Sequence, residues 1–397
     1  MLTYEEALRH VLATVAPLAP VQRSLPEAAG LTLAGPVAAQ WDMPRCDNSA
    51  MDGFAIADPA GDSKTPLEII GAAYAGHPFA GTVAAGQAVR ITTGAALPAG
   101  ATTVIPLEEA VDRTTHVTLA VAAQAGQHVR YQGEEFRAGE LLLEAGSRLH
   151  AGEIGLLACA GVEQVPVYPQ PRVAIISTGD ELVELGRVPG PGQIINSNLY
   201  LLMSRVRECG GVPIALGIGE DDPQALDSLI TTGMHADLLI STGGVSVGEK
   251  DQMHKALARQ GFQQKFWKVA IKPGKPVLFG TLGGKPCFGL PGNPAATAAT
   301  FELFVKPALG RLAGQKDPLP ARRSGVLATA VEGGGKRQAF LWCRLEWVDN
   351  GYRVTVPERQ GSGQHRSIQG ANALLAMPAG TGQLLPGDAV EVLVLRS

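Results

Sequence analysis

The chain has 397 residues, 45% hydrophobic and 18% charged, so it is long enough for several domains and too apolar for a disordered polypeptide. A net charge of −4 with no basic block excludes nucleic acid as a main partner. The five cysteines, at positions 46, 159, 209, 287 and 343, include no CxxC pair, which excludes a zinc knuckle or disulfide framework and points to a reducing cytoplasm. Neither a basic leader nor a long apolar run is present, so no signal peptide and no membrane association are expected.

In chain order, Thr3 is placed to cap a helix over Tyr4 to Val15. Short alternating segments follow, such as 87–91 and 116–121, broken often by Gly and Pro. A second helical pattern runs from Gly152 to Ala160. Residues 1–170 therefore read as a composite N-terminal region, a helical lobe with an inserted β-rich lobe. From 171 to 317 strands and helices alternate. Val173 to Ser177 is apolar on both faces, as in a parallel sheet. Asn196-Ser197-Asn198 offers caps for a helix over Leu199 to Cys209. Val212 to Leu216 is a strand, and Asp221-Asp222-Pro223 opens the next helix. A strand at Leu238 to Ile240 leads into a glycine-rich loop and a helix from Glu249 to Arg259. Cys287 to Leu290 runs into Gly292-Asn293-Pro294 and a helix to about Leu312. This is the rhythm of a doubly wound α/β domain, whose ligands sit at the carboxyl ends of strands. After the linker Pro318-Leu319-Pro320, residues 318–397 alternate like antiparallel strands. Phe340 to Trp347 and Tyr352 to Val356 flank Asn350-Gly351, a hairpin signal, and a small β-barrel or sandwich is expected.

Chemistry concentrates at the strand ends. Thr242-Gly243-Gly244-Val245-Ser246-Val247-Gly248 joins a strand to a helix, a setting in which backbone N–H groups and a helix end meet an anion. It has neither the GxGxxG spacing nor a Walker lysine, so nicotinamide and P-loop folds do not fit. The neighbouring Glu249 and Asp251 suit a phosphorylated ligand accompanied by a divalent metal. Asp180 and Glu181 follow the first α/β strand, and Asp221 follows the second. Lys268, Lys272 and Lys275 fall within eight residues. On a single strand Lys268 and Lys272 face the same way, and as point charges they would bind an oxyanion. Asp47 to Phe54 and Thr92 to Ala95 fit turn chemistry and function equally well. The eight histidines are scattered, read as surface or core residues, and form no catalytic triad.

These segments together resemble the molybdopterin molybdenumtransferase family, the MoeA proteins and the gephyrin E domain. The matching blocks, in family order, are DNSAMDGFAI (47–56), ITTGA (91–95), STGDELVE (177–184), INSNLYLL (195–202), STGGVSVGEKD (241–251), FWKVAIKPGKPVLFG (266–280) and FGLPGNPAATAATF (288–301). The resemblance implies a multidomain α/β and β protein with a central pterin-binding α/β domain and a small C-terminal β-barrel. It also implies a homodimer. The implied reaction cleaves adenylylated molybdopterin with Mg²⁺, releases AMP and inserts molybdenum from molybdate into the dithiolene. On the same basis the preceding adenylyltransferase and molybdoenzyme delivery proteins are possible partners.

The resemblance also assigns roles. Asp52, Thr93, Glu181, Asp221 and Asp251 would line the metal-and-molybdate end, and Lys268 and Lys272 would neutralise oxyanion and phosphate charge. Gly243, Gly244, Ser246 and Gly248 would cradle the pterin phosphate, with Lys275, Pro291, Gly292 and Asn293 also on the substrate. Arg344 and Ser362 fall where the family has functional polar residues. Family members commonly have Asp where this chain has Glu135. Glu135 keeps the charge on a longer arm, and by the resemblance it would join Asp52, Glu181 and Asp251 as a metal ligand. Two other functions compete: the preceding adenylyl transfer, carried out by proteins that resemble the α/β domain alone, and a non-catalytic scaffold or carrier.

Overall fold

Residues 1–57, 59, 65–219, 222–244 and 252–396 are described in a computed structural model, in which the chain divides into two units. One unit comprises Met1–Val21, Gly30–Ala34 and Val167–Ser397; the other comprises Gln22–Ala29 and Gly35–Pro166. Helix α1 (Tyr4–Thr14) begins as its sequence predicts. Glu6 N–H donates to Thr3 Oγ1 at 3.2 Å, and Thr3 N–H donates to the Glu6 carboxylate at 2.8 Å, a reciprocal capping box. Its buried face, Tyr4, Ala7, Leu8 and Val11, forms one helical stripe. That stripe packs into the larger unit, where the rings of Tyr4 and Phe340 lie 5.0 Å apart edge to face.

The smaller unit is built on a six-stranded mixed sheet, in the order Thr103–Pro106, Gly53–Ile56, Gln87–Ile91, Leu67–Ala73, His116–Leu119, Ala110–Asp112. Strand parity divides its interior. Ala55, Val89 and Val104 enter one cluster, and Phe54, Ile56 and Ile105 enter another on the opposite face. Gly53 is required by close approach, because a Cβ there would lie 1.8 Å from the Ile105 carbonyl oxygen. Helix α2 (Ala151–Cys159) follows the β-rich segment.

In the larger unit, β1 (Arg172–Thr178), α3 (Ser197–Glu208), β2 (Val212–Gly219), α4 (Pro223–Gly233) and β3 (Leu238–Thr242) alternate as expected. Helix α5 is described from Gln252 to Arg259 and is followed by β4 (Gln263–Trp267), β5 (Leu278–Leu282) and β6 (Lys285–Leu290). The sheet order is β2-β1-β3-β6-β5-β4, with the first four parallel and β5 antiparallel to both neighbours. Both faces are covered. Val173 and Ile175 of β1 enter the core shared with α3 and α1, whereas Ala174 and Ile176 enter the core with α4 and α5. Because β1 has β2 on one side and β3 on the other, a topological switch point lies at its carboxyl end.

Helix α6 (Pro294–Thr300) continues through a π-helical turn (Phe301–Val305) into α7 (Lys306–Leu312). The C-terminal segment forms a five-stranded barrel: β7 (Arg322–Leu327), β8 (Gln338–Val348), β9 (Gly351–Thr355), β10 (Ala373–Met377) and β11 (Ala389–Val394), closed by β8 pairing with β10. The hairpin signal lies one residue earlier than its sequence suggests. Val348 pairs with Gly351, so Asp349 (φ 48°) and Asn350 (φ 66°) are the two turn residues and Gly351 begins the strand. Two consecutive positive φ values match the twist of the flanking strands. Among the described residues no helix is long and apolar enough to cross a membrane.

Candidate active site

At the carboxyl ends of β1, β3 and β6 the larger unit opens a cleft of about 1060 Å³. Its floor is made by the loops that leave these strands: Thr178 to Glu181, Thr242 to Gly244, and Pro291 to Asn293. Gly243 (φ 87°) turns the chain so tightly that a Cβ would sit 2.2 Å from the Thr178 carbonyl oxygen. Asn198 secures two of these loops by donating from Nδ2 to Thr242 Oγ1 at 3.1 Å and to the Gly292 carbonyl at 2.7 Å. Thr242 Oγ1 in turn donates to the Pro291 carbonyl at 3.1 Å. Buried threonines and one asparagine therefore hold the glycine backbones in place, and backbone dipoles and glycine surface remain for a ligand.

A short parallel ladder forms one wall. Leu182 pairs with Ile194 and Val183 with Ile195, which places Glu181 and Asn196 at its two ends. Glu181 is exposed, and its carboxylate folds over Gly179, where a Cβ would lie 2.6 Å from Oε2. Asn196 occupies the cap position of α3 but makes no capping bond, and among the described residues neither amide atom has a partner although the residue is 1% exposed. The barrel also contributes to the lining. Gly363 and His365 line the cleft, with Ser197 Oγ 3.0 Å from His365 Nε2. Ser362 accepts from Asn293 Nδ2 at 3.1 Å, and its carbonyl accepts from Ala295 N–H at 2.9 Å. His365, which the sequence left among scattered histidines, is thus a cleft residue brought in by tertiary packing.

In the smaller unit, the loops around DNSAMDG and ITTGA are stitched together. Ser49 N–H donates to Ala95 O at 3.0 Å, and Gly94 N–H donates to Ser49 O at 2.8 Å. This brings Asp52 and Thr93, 41 residues apart, into contact: both the N–H (2.6 Å) and the Oγ1 (2.8 Å) of Thr93 donate to Asp52 Oδ1. Those two bonds hold the Asp52 carboxyl below the usual carboxylate range. Glu135 is exposed. Its N–H donates to Met43 O at 2.9 Å, and the same loop is tied to Asp47 by Gln132 N–H at 2.8 Å.

The candidate residues separate clearly. Glu181, Gly243, Gly244, Pro291, Gly292 and Asn293 converge on the cleft, and Ser362 adjoins it through Asn293. Asp221, Ser246, Gly248, Glu249 and Asp251 lie outside the described residues. Lys268, Lys272, Lys275 and Arg344 do not line the cleft. The single strand inferred for Lys268 and Lys272 is in fact two segments. Strand β4 ends at Trp267, Lys268 has φ 70°, and Ile271–Lys272 pairs with β8. The shared parity of the two lysines therefore does not hold. Lys268 Nζ lies 4.0 Å from the centroid of the Trp267 ring, a cation–π contact. Arg344, on β8, is exposed and ion-paired with Glu346 at 3.2 Å.

Comparison with known proteins converges on one family. Residues 2–161 match the MoeA N-terminal region (domain I and II), 174–311 a probable molybdopterin binding domain, and 324–395 the MoeA C-terminal region (domain IV). A molybdopterin molybdenumtransferase from Nostoc sp. is 38% identical over 377 residues, 92% of this chain and 86% of that protein. The chain belongs to the molybdopterin molybdenumtransferase family. Within that family, molybdopterin molybdenumtransferase 2 of Mycobacterium tuberculosis is 33% identical over 405 residues, 99% of each chain. The crystal structure of the molybdopterin biosynthesis MoeA protein from Pyrococcus horikoshii superposes with a TM-score of 0.86 at 30% identity, covering 100% of both chains. The chain is thus a transferase of molybdenum cofactor biosynthesis with the multidomain MoeA architecture.

Among the described residues, no three His, Cys, Asp or Glu side chains come together as a ready metal cage. Mg²⁺ characteristically takes one or two carboxylates and keeps water and substrate phosphate for the rest. Glu181, a hard oxygen donor on the rim of a glycine-floored cleft, fits that pattern.

Proposed function

We propose that the chain is the molybdenum insertase that cleaves adenylylated molybdopterin, releases AMP and transfers molybdenum from molybdate to the dithiolene. The cleft at the switch point supports this reading most directly. Its glycine floor accepts a phosphorylated ligand without side-chain interference, and its rim carries the acids Asp180 and Glu181. Gly243, Gly244 and Gly292 would receive the phosphate-bearing part of the substrate, and Asn198 keeps their backbones in place. Glu181 would hold Mg²⁺, which when bound polarises a phosphoryl oxygen of the pyrophosphate link, and Asp52 is assigned to the metal on the motif. Asp52 is suited to this because Thr93 keeps it ionised to lower pH than an ordinary aspartate. Thr93, Lys268 and Lys272 are assigned to oxyanion charge on the motif, with positioning of the two substrates supplying most of the rate. Asp221, Asp251 and Ser246 are included on the motif alone, as are Glu135, Lys275, Arg344 and the boundaries 1–170, 171–317 and 318–397.

The working form is proposed to be a cytoplasmic homodimer that receives substrate from the preceding adenylyltransferase. The deciding experiment measures AMP release from adenylylated molybdopterin with Mg²⁺, with and without molybdate. Molybdate-dependent AMP release together with active cofactor is the expected result. Tight ligand binding without AMP under any oxyanion would leave a pterin-binding scaffold as the function.

A further inference from the structure

We infer that Asn196 is a specificity residue that reads a paired donor–acceptor edge of the substrate's heterocycle, an inference that rests on the function proposed above. Asn196 is 1% exposed, and among the described residues both Nδ2 and Oδ1 lack a hydrogen-bond partner. A buried carboxamide with neither atom paired is costly and uncommon, so it calls for a reason. Capping is the usual reason for Asn at this position. Here the side chain makes no cap bond to α3, a helix of 12 residues. The backbone offers no further explanation, since Asn196 N–H is already bonded to Val183 O at 2.9 Å.

The position of Asn196 supplies one. It belongs to the cleft wall, between Glu181 across the parallel ladder and the Ser197–His365 contact with the barrel. Two residues on, Asn198 Oδ1 is also buried with no partner among the described residues, while its Nδ2 is committed to Thr242 and Gly292. The opening turn of α3 thus presents two amides, one engaged in holding the floor and one engaged in nothing. Among the described residues no hydrogen bond holds the Asn196 amide in its ligand-free orientation, so turning it about its side-chain torsions toward the cleft sacrifices none.

An amide supplies one donor beside one acceptor, and it pairs with a ligand edge that offers the complement. The N–H/C=O edge of a pterin has that pattern, and so has the amino/ring-nitrogen edge of an adenine. Adenylylated molybdopterin carries both rings, so the shared chemistry is a lactam-like or amidine-like edge and the source is an experimental question. Discrimination by such a pair is strong because a ligand lacking the edge leaves the buried amide unpaired.

The test compares Asn196→Ala, Asn196→Leu and Asn196→Ser with the wild type in the full chain. Dissociation constants for AMP and for anaerobically prepared molybdopterin are measured by calorimetry, and the ligand-free Tm is measured alongside. The expected result is about tenfold or greater weakening in all three variants for one of the two ligands, with the ligand-free Tm unchanged or raised. Loss confined to molybdopterin identifies the pterin edge; loss confined to AMP identifies the adenine edge. Serine is the decisive control, because it caps a helix but has no amide. If Asn196→Ser restores binding and Tm while Asn196→Ala lowers both, Asn196 is a cap and the inference is overturned. Binding within twofold of wild type in every variant overturns it as well. A wild type that binds neither ligand would refute the proposed function itself, a result distinct from unchanged variants of a protein that does bind.

Discussion

The Asp52–Thr93 pair of the smaller unit and the strand-end cleft of the larger one manage polar groups in opposite ways. Asp52 is exposed, yet its Oδ1 is held by two donors from one residue. In the cleft, both amide atoms of Asn196 and the Oδ1 of Asn198 are buried and have no partner among the described residues. The first arrangement fixes a charge in place before any ligand arrives. The second leaves hydrogen-bonding capacity that only a ligand can use. A carboxylate in water needs help to stay oriented and ionised, whereas an unpaired amide out of water costs stability until a ligand pairs it.

Glycines sharpen the contrast most strongly. Gly243→Ala would press a Cβ against the Thr178 carbonyl at a positive φ, and should lower stability by roughly 3 kcal/mol and abolish ligand binding. Gly94→Ala, at φ 77° with nothing within 4 Å of the new atom, should cost only about 1 kcal/mol. Urea midpoints of the two variants measure the difference, and equal losses would remove the distinction drawn between packed and open turns. Next in size, Asp52→Asn should slow AMP release by roughly 10- to 100-fold with little change in Tm, as for a group supporting a bound metal. An unchanged rate would take Asp52 out of the site.

Smaller again, Asn198→Ala removes both bonds that hold the cleft floor. It should cost about 1–2 kcal/mol of stability, read from the urea midpoint, and should weaken AMP binding measured by calorimetry. The smallest effect is expected from Thr93→Val, which deletes the hydroxyl bond to Asp52 and keeps the backbone one. Asp52 has a depressed pKa in the fold, so its ionised form favours the fold above the unfolded value of roughly 3.9, and that contribution is lost as pH falls through the depressed one. In Thr93→Val the Asp52 pKa should move up, so its contribution should be smaller and the acid-side loss should be complete at a higher pH. An NMR titration of the Asp52 carboxyl reads this directly, and an unmoved midpoint would assign the shift to the backbone bond alone.

Legibility varied with the range of the interactions involved. The capping box at Thr3 and Glu6, the Asp222 cap of α4 and the strand ends at Thr178 and Thr242 could all be read from neighbouring residues. The lysine segment misled, because parity along one strand assumes a continuous strand. Here the chain leaves the α/β sheet at Lys268 and joins the barrel at Ile271. His365 and the idle amide of Asn196 had no local signal, since each depends on a partner, or the lack of one, that only packing decides.

Local periodicity, caps and seven ordered motifs were enough to determine the alternating α/β rhythm, the family and a glycine-floored cleft at the ends of strands. These follow from contacts a few residues apart and from motif order along the chain. Tertiary structure alone decided that the first helix joins the α/β core, that Thr93 secures Asp52 across 41 residues, and that a barrel histidine completes the cleft wall. Those outcomes depend on which surfaces bury one another, a property of the folded whole that no single stretch of sequence encodes.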